Sequence, residues 1–189
     1  MQQHTLKIVD SRTGNILSTI PLTGRPNQCG ATPDGRYVAV PIRDGNSVDI
    51  VDPQAKKVVK TLPVKLPHNS YNSGSNDTLW VSSMGDHEID RIDLRKMEYT
   101  AHVRTEGIPR PYTVTKDCDT IYSALTDLHG FVVASVSEGK VIAKVELPAG
   151  RTSSQLRART QYAGSRAGTL ARRPPSVGNH PGRRLGVCL

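Results

Sequence analysis

Five basic side chains in this sequence have the types and the spacing that could bind a ligand. His87 and His129 lie about 42 residues apart in loops of similar sequence, which is the length of one structural repeat. Two imidazoles repeated in this way could converge on a metal ion or an anion. Arg25, His68 and Arg110 form a second series, at intervals of about 42 residues. Their charge would suit an acidic small-molecule ligand or the carboxylates of a protein partner.

Each of these residues also has a simpler interpretation. The two loop histidines could be solvated or hydrogen-bonded to the next repeat, and the second series could be charged loop tips. No further Asp, Glu and His set has ligand spacing, so the sequence predicts no metal and no cofactor. Asp86 and Glu88 favour a solvated pair over an acid–base dyad. No serine lies in a G-x-S-x-G context, and we predict no catalytic residue.

The elements that must position these side chains are short strands. Residues 27–66 contain four of them, at Asn27–Thr32, Tyr37–Val40, Val48–Asp52 and Val58–Leu62. Pro33-Asp34-Gly35 separates the first two, because proline presets φ and glycine supplies a positive φ. The third strand alternates apolar and polar residues with a period of two, which is typical of a half-buried strand.

This unit repeats along the chain. An apolar-Asp dipeptide ends at Asp10, Asp52 and Asp93, with Ser135 in the fourth place, at intervals of about 42 residues. A second series, Asp34-Gly35, Asn76-Asp77 and Cys118-Asp119, follows the same period and runs in phase with the first. A repeat of this length that carries four strands is typical of a β-propeller blade.

The predicted fold is therefore all-β, with four-stranded antiparallel sheets repeated at intervals of about 42 residues. Residues 1–148 are predicted to form a partial propeller of about three to four blades, with repeats starting near Leu6, Val48, Ile89 and Phe131. Counted by strands, this is the outer half of one blade, two full blades and the outer half of a fourth. Propellers typically close with 4–8 blades. We therefore expect a fragment of a longer protein whose unpaired strands promote edge-to-edge self-association.

Residues 149–189 differ from the rest in composition. Residues 151–189 hold eight of the 25 basic residues, all arginine, and no acid, whereas the remaining 17 basic residues are balanced by all 17 acids. This tail could be a nucleic-acid-binding arm. We favour a disordered or frameshifted segment, and we predict no specific nucleic-acid partner. The sequence also shows no signal peptide and no apolar run long enough to span a membrane.

At several of these motifs the chain resembles the YVTN-repeat β-propellers, a bacterial family similar to the YncE-like proteins. The residues that carry the resemblance are Thr13-Gly14, Pro33-Asp34-Gly35, Tyr37-Val38 and Ile50-Val51-Asp52, and the likeness covers about residues 6–148. It implies a non-catalytic module that binds a protein or small ligand at the propeller face, within a larger protein exported to the periplasm or cell surface. The alternative that it implies is a fragment of a propeller enzyme, lactonase-like or a haem- or quinone-linked oxidoreductase. No C-x-x-C-H haem motif is present, and we favour the binding module.

Overall fold

The computed structural model describes residues 4–148 and 186–188, and the regular elements in these residues are β-strands. They are β1 (Thr5–Val9), β2 (Ile16–Pro21), β3 (Gly30–Ala31), β4 (Val38–Ile42), β5 (Ser47–Asp52), β6 (Lys57–Pro63), β7 (Pro67–Tyr71), β8 (Thr78–Ser83), β9 (Glu88–Asp93), β10 (Glu98–Arg104), β11 (Pro109–Val114), β12 (Thr120–Leu125), β13 (Gly130–Ser135), β14 (Lys140–Glu146) and β15 (Gly186–Cys188). The described residues contain no helix that could cross a lipid bilayer.

The described strands form antiparallel sheets in which neighbours follow one another along the chain. Sheet 2 has the order β3-β4-β5-β6, sheet 3 contains β7 to β10, and sheet 4 contains β11 to β14. Sheet 1 has the order β15-β1-β2, so that β15 lies where a second strand lies in the other sheets. The first strands of adjacent sheets approach one another, as in the parallel bridge between Gln28 and Asn69. These sheets are propeller blades, and we call the first strand of each the inner strand and the fourth the outer strand.

The turn between the third and fourth strands explains the repeat in the sequence. Asp10 Oδ1 accepts hydrogen bonds from the backbone N–H groups two and three residues later, at 2.8 and 3.0 Å. Asp52 and Asp93 do the same in sheets 2 and 3, and Ser135 Oγ accepts from the Glu138 N–H in sheet 4. Such side-chain acceptors stabilise a tight turn. Each of these turns also contains a residue at positive φ, namely Gly14, Lys56, Met97 and Gly139.

Apolar cores lie between successive sheets. Sheets 1 and 2 pack through a cluster that includes Leu6, Ile20, Val38 and Ile42. Sheets 2 and 3 pack through a cluster that includes Val48, Ile50, Leu79 and Ile92. Sheets 3 and 4 pack through Trp80, Ile89, Tyr112 and Ile121, among others. Trp80 is fully buried there, so its ring packs between two blades. Because adjacent sheets bury their facing sides against each other, one blade positions the next.

The predicted all-β fold of four-stranded blades is confirmed, with two adjustments. The first strand of residues 27–66 is shortened to Gly30–Ala31, although the preceding Pro26 and Gln28 form isolated bridges. The count of two full blades is too low, because β11 and β12 complete a third four-stranded sheet. Pro109 and Pro111 weaken the strand pattern of β11 in the sequence. β11 lies at the edge of its sheet, where a residue without an N–H donor is tolerated because one side of the strand has no ladder partner.

The described residues up to Glu146, together with residues 186–188, belong to one compact unit, and Leu147 and Pro148 belong to a second. The predicted tail of residues 149–189 falls mostly outside the described residues, since residues 149–185 and Leu189 are not among them. Within it, Gly186–Cys188 forms β15 and pairs with β1.

Candidate ligand-binding site on the inner strands

Six polar side chains, from the inner strands of sheets 3 and 4 and from the segment just before β3 of sheet 2, make one connected cluster. This inner cluster consists of Gln28, His68, Asn69, Tyr71, Arg110 and Tyr112. The inner strands bring these residues together because adjacent blades place their first strands side by side.

Arg110 orients the first part of the inner cluster. Its Nη1 donates to His68 Nε2 at 3.0 Å, and its Nε donates to Thr126 Oγ1 at 2.8 Å. A guanidinium has donors and no acceptor, so His68 Nε2 must accept. The imidazole is then neutral with its proton on Nδ1, which donates to Asn69 Oδ1. Arg110 thereby fixes both the tautomer and the ring orientation of His68.

Asn69 carries the chain of hydrogen bonds from sheet 3 to sheet 2. Because Asn69 Oδ1 accepts from His68, its Nδ2 is the donor to Gln28 Oε1 at 2.5 Å and to Tyr71 Oη at 3.1 Å. Gln28 Nε2 in turn donates to Tyr71 Oη at 3.1 Å. The donors therefore run in one direction, from Arg110 through His68 and Asn69 to Gln28. Hydrogen bonds aligned in this way polarise and strengthen one another.

Two tyrosines form the base of the inner cluster, where Tyr112 is buried and Tyr71 is half-buried. The rings of Tyr71 and Tyr112 meet edge to face, with centroids 4.8 Å apart and an interplanar angle of 88°. Tyr112 Oη donates to the Asn69 carbonyl at 3.4 Å. Burial raises the pKa of Tyr112 well above its ordinary value, so this phenol stays a neutral donor. The edge-to-face contact adds rigidity beneath the polar side chains.

The charge of Arg110 has neutral partners. In the described part of the chain Arg36, Arg95 and Arg104 each pair with a carboxylate, at 3.3, 2.5 and 3.4 Å respectively. The described ion pairs do not include Arg110, whose hydrogen bonds go to an imidazole and a hydroxyl. Arg110 is half-buried at the inner strands, and no carboxylate of the described residues forms an ion pair with it. Such an arginine can take a carboxylate or phosphate of a ligand.

The structure brings together two of the five predicted site residues, His68 and Arg110. Arg25 is exposed, and its backbone carbonyl accepts from the Arg43 N–H at 2.9 Å. His87 and His129 are exposed in the turns between the second and third strands of sheets 3 and 4. Neither belongs to the group of three potential metal ligands found in the described residues. The role of all five in ligand binding stays a prediction.

Sequence reasoning missed Gln28 and Tyr112. Both were within reach of the repeat, because Gln28 lies about one repeat before Asn69, and Tyr112 lies about one repeat after Tyr71. The polar residues Asn72 and Asn76 follow β7 in the chain but lie in the turn after it, outside the inner cluster. Asn72 Nδ2 donates to the Ser75 carbonyl, and Asn76 Oδ1 accepts from the Asp34 N–H of the neighbouring sheet.

A second polar cluster, Glu88, Asp90 and His102, lies on the third and fourth strands of sheet 3. We call it the outer cluster. His102 Nδ1 lies 2.8 Å from Asp90 Oδ1 and 3.9 Å from Glu88 Oε2. Burial raises the pKa of Asp90 to about 6, against the opposing effect of the hydrogen bond from His102. The sequence spacing did not reveal this set, because it depends on the pairing of two strands.

Comparison with known proteins supports the fold. No protein-family model and no curated protein sequence matches the chain. Among solved structures, Kuenenia stuttgartiensis hydrazine synthase matches with a TM-score of 0.69 and 24% identity, over 76% of this chain and 43% of that one. The β-propeller domain of Myceliophteria thermophila Cps50 (Swd1) matches with a TM-score of 0.65 and 11% identity, over 77% of this chain and 49% of that one. The chain therefore spans less than half the length of each. At such identities the likeness shows the β-propeller fold and no activity.

Proposed function

We propose that the chain is a non-catalytic β-propeller module of the YVTN-repeat type. Its inner cluster binds an acidic group of a protein or small-molecule ligand. The observation that carries this proposal is Arg110, a half-buried guanidinium whose described partners are the neutral His68 and Thr126. An interaction between this guanidinium and a carboxylate would need no existing ion pair to be broken. The module belongs, in this proposal, to a larger exported bacterial propeller protein that acts in the periplasm or at the cell surface.

Binding of a fluorescein-labelled hexaglutamate peptide, followed by fluorescence anisotropy at low and physiological salt, tests the proposal. Arg110→Gln should weaken binding at least about tenfold, since a charged hydrogen bond contributes roughly 1.5–3 kcal/mol. His68→Ala should weaken it less, because His68 orients Arg110 without supplying the charge.

Arg36→Gln is the matched control. Arg36 is also a blade arginine, but it already pairs with Asp77 at 3.3 Å. The peptide should bind this variant as it binds the wild type. Equal losses in Arg36→Gln and Arg110→Gln would reduce the effect to net charge, and unchanged binding in Arg110→Gln would refute the site.

A further inference from the structure

We propose that the outer cluster is a binding site for a divalent transition-metal ion of the zinc class. One ligand atom from each of Glu88, Asp90 and His102 lies within 4.8 Å of the other two. Tetrahedral ligands at about 2.1 Å from zinc are about 3.4 Å apart, so small side-chain rotations would bring these atoms into coordination. An imidazole and two carboxylates suit zinc and its neighbours better than they suit magnesium or calcium. Three protein ligands leave a fourth position for water.

The same position in sheet 2 shows what a buried aspartate needs without a metal. Asp49 lies opposite Thr61 on the outer strand, as Asp90 lies opposite His102 in sheet 3. Asp49 accepts hydrogen bonds from Thr61 Oγ1 at 2.8 Å and from both the N–H and Oγ1 of Thr23 at 2.9 Å. Protein donors therefore satisfy this carboxylate.

Sheet 3 has different side chains at the positions of Thr23 and Thr61. Lys65 lies at the repeat position of Thr23, and its Nζ contacts Asp86 Oδ1 at 2.6 Å. His102 replaces Thr61, and Glu88 adds a second carboxylate beside the buried Asp90. Sheet 3 thus keeps the buried aspartate and places a second carboxylate and an imidazole beside it, in place of the threonine hydroxyl donors of sheet 2. A buried carboxylate next to another is stabilised by a cation, and here the imidazole supplies a further metal ligand.

Arg104 offers the competing explanation. Its Nε lies 3.4 Å from Glu88 Oε1, so the outer cluster could be an ion-pair network with no ligand. Arg104 is exposed at the end of the outer strand and contacts the Glu88 oxygen that lies away from His102. Arg104→Gln separates the two explanations. A metal site should bind zinc at least as tightly in this variant, because Glu88 loses a competing cation.

Titration calorimetry of zinc into the full chain at pH 7.5 tests the proposal. We expect one site that weakens at least about tenfold in His102→Gln and in Asp90→Asn. Zinc should also raise the thermal midpoint of the wild type and leave that of His102→Gln nearly unchanged. His102 is exposed, so this variant should fold, and its circular dichroism without metal verifies that.

The controls leave the outer cluster intact. Asp49→Asn removes the equivalent aspartate, and the double variant His87→Gln/His129→Gln removes two loop imidazoles; both should bind zinc as the wild type does. Arg110→Gln should do so too, which keeps this proposal separate from the inner cluster. Undiminished zinc affinity in His102→Gln, a loss shared by the controls, or no wild-type binding at 100 μM zinc (roughly a hundredfold above a micromolar Kd) would overturn it.

Discussion

At the scale of single residues, the Asp49 carboxylate links two strands of sheet 2 to the segment that follows sheet 1. It is fully buried on the third strand of sheet 2, and it accepts from the outer strand of its own sheet and from the residues that follow sheet 1. Through these hydrogen bonds, the buried aspartate connects one blade to the next. At the equivalent position, Asp90 keeps the carboxylate and changes its partners.

We predict that Asp49→Ala lowers the free energy of unfolding by about 1–3 kcal/mol, because the hydroxyl and N–H donors of Thr23 and Thr61 lose their acceptor. Urea denaturation followed by circular dichroism measures the change. Thr61→Val, which removes a single hydrogen bond at 2.8 Å, should cost less. A free energy of unfolding of Asp49→Ala within error of that of the wild type would contradict the role of Asp49 in connecting the blades.

At the scale of secondary-structure elements, the inner strands of sheets 2 and 3 approach closely at Gly30. A Cβ added at Gly30 would lie 2.7 Å from the Ser70 carbonyl oxygen and 2.9 Å from the Tyr71 nitrogen. These are backbone atoms of the next inner strand, so they cannot move as a side chain would. Glycine at this position therefore permits the contact that joins Gln28 to Asn69.

Gly30→Ala should accordingly push the inner strands of sheets 2 and 3 apart, with a loss of about 2–3 kcal/mol in unfolding free energy. The matched control is Gly74→Ala, where the nearest atom to the new Cβ is Lys116 Cγ at 3.9 Å and the cost comes from a φ of +92°. We expect about 1 kcal/mol there. Chemical denaturation of both variants decides, and a larger loss in Gly74→Ala would contradict the close approach.

The sequence predicted the blades well because their signals are local. Asp10, Asp52 and Asp93 each accept hydrogen bonds from N–H groups two and three residues later, so the same residue type recurs at a fixed interval in the sequence. The contacts of the two clusters are not local. Asp90 lies opposite His102 only because the register shifts between Tyr99 and Ala101, and such a bulge leaves no mark in the alternation of residues.

Contacts between blades are harder still to predict. His68 and Arg110 could be aligned by repeat arithmetic, but a shared repeat position places two residues in equivalent sites without making them touch. Their hydrogen bond depends on the side chains leaning towards one another across the gap between inner strands. The series of hydrogen bonds from Arg110 to Gln28 likewise uses different residue types in each sheet, so no repeated sequence motif could predict it.

At the scale of the whole molecule, sheet 4 differs from sheets 2 and 3. Sheets 2 and 3 contribute residues to a core on each side, whereas one face of sheet 4 carries Tyr122 opposite Val133, and Phe131 opposite Val145. Tyr122 and Val145 are 43% and 37% exposed. In a propeller, a face of this kind packs against a further blade. Expressed by itself, the chain should instead bury it by self-association.

We therefore predict that the isolated chain forms concentration-dependent oligomers, and that Tyr122→Lys/Val145→Lys shifts it towards the monomer. Charges on this face oppose the burial that drives association. The opposite face of sheet 4, which packs against sheet 3, keeps its contacts. Sedimentation velocity over a hundredfold range of concentration measures the shift. Ile16→Lys, at a position that is 56% exposed on β2, is the control for added charge elsewhere and should associate as the wild type does. A wild-type chain that stays monomeric throughout would refute association, and an equal effect of Ile16→Lys would place the contact on another surface.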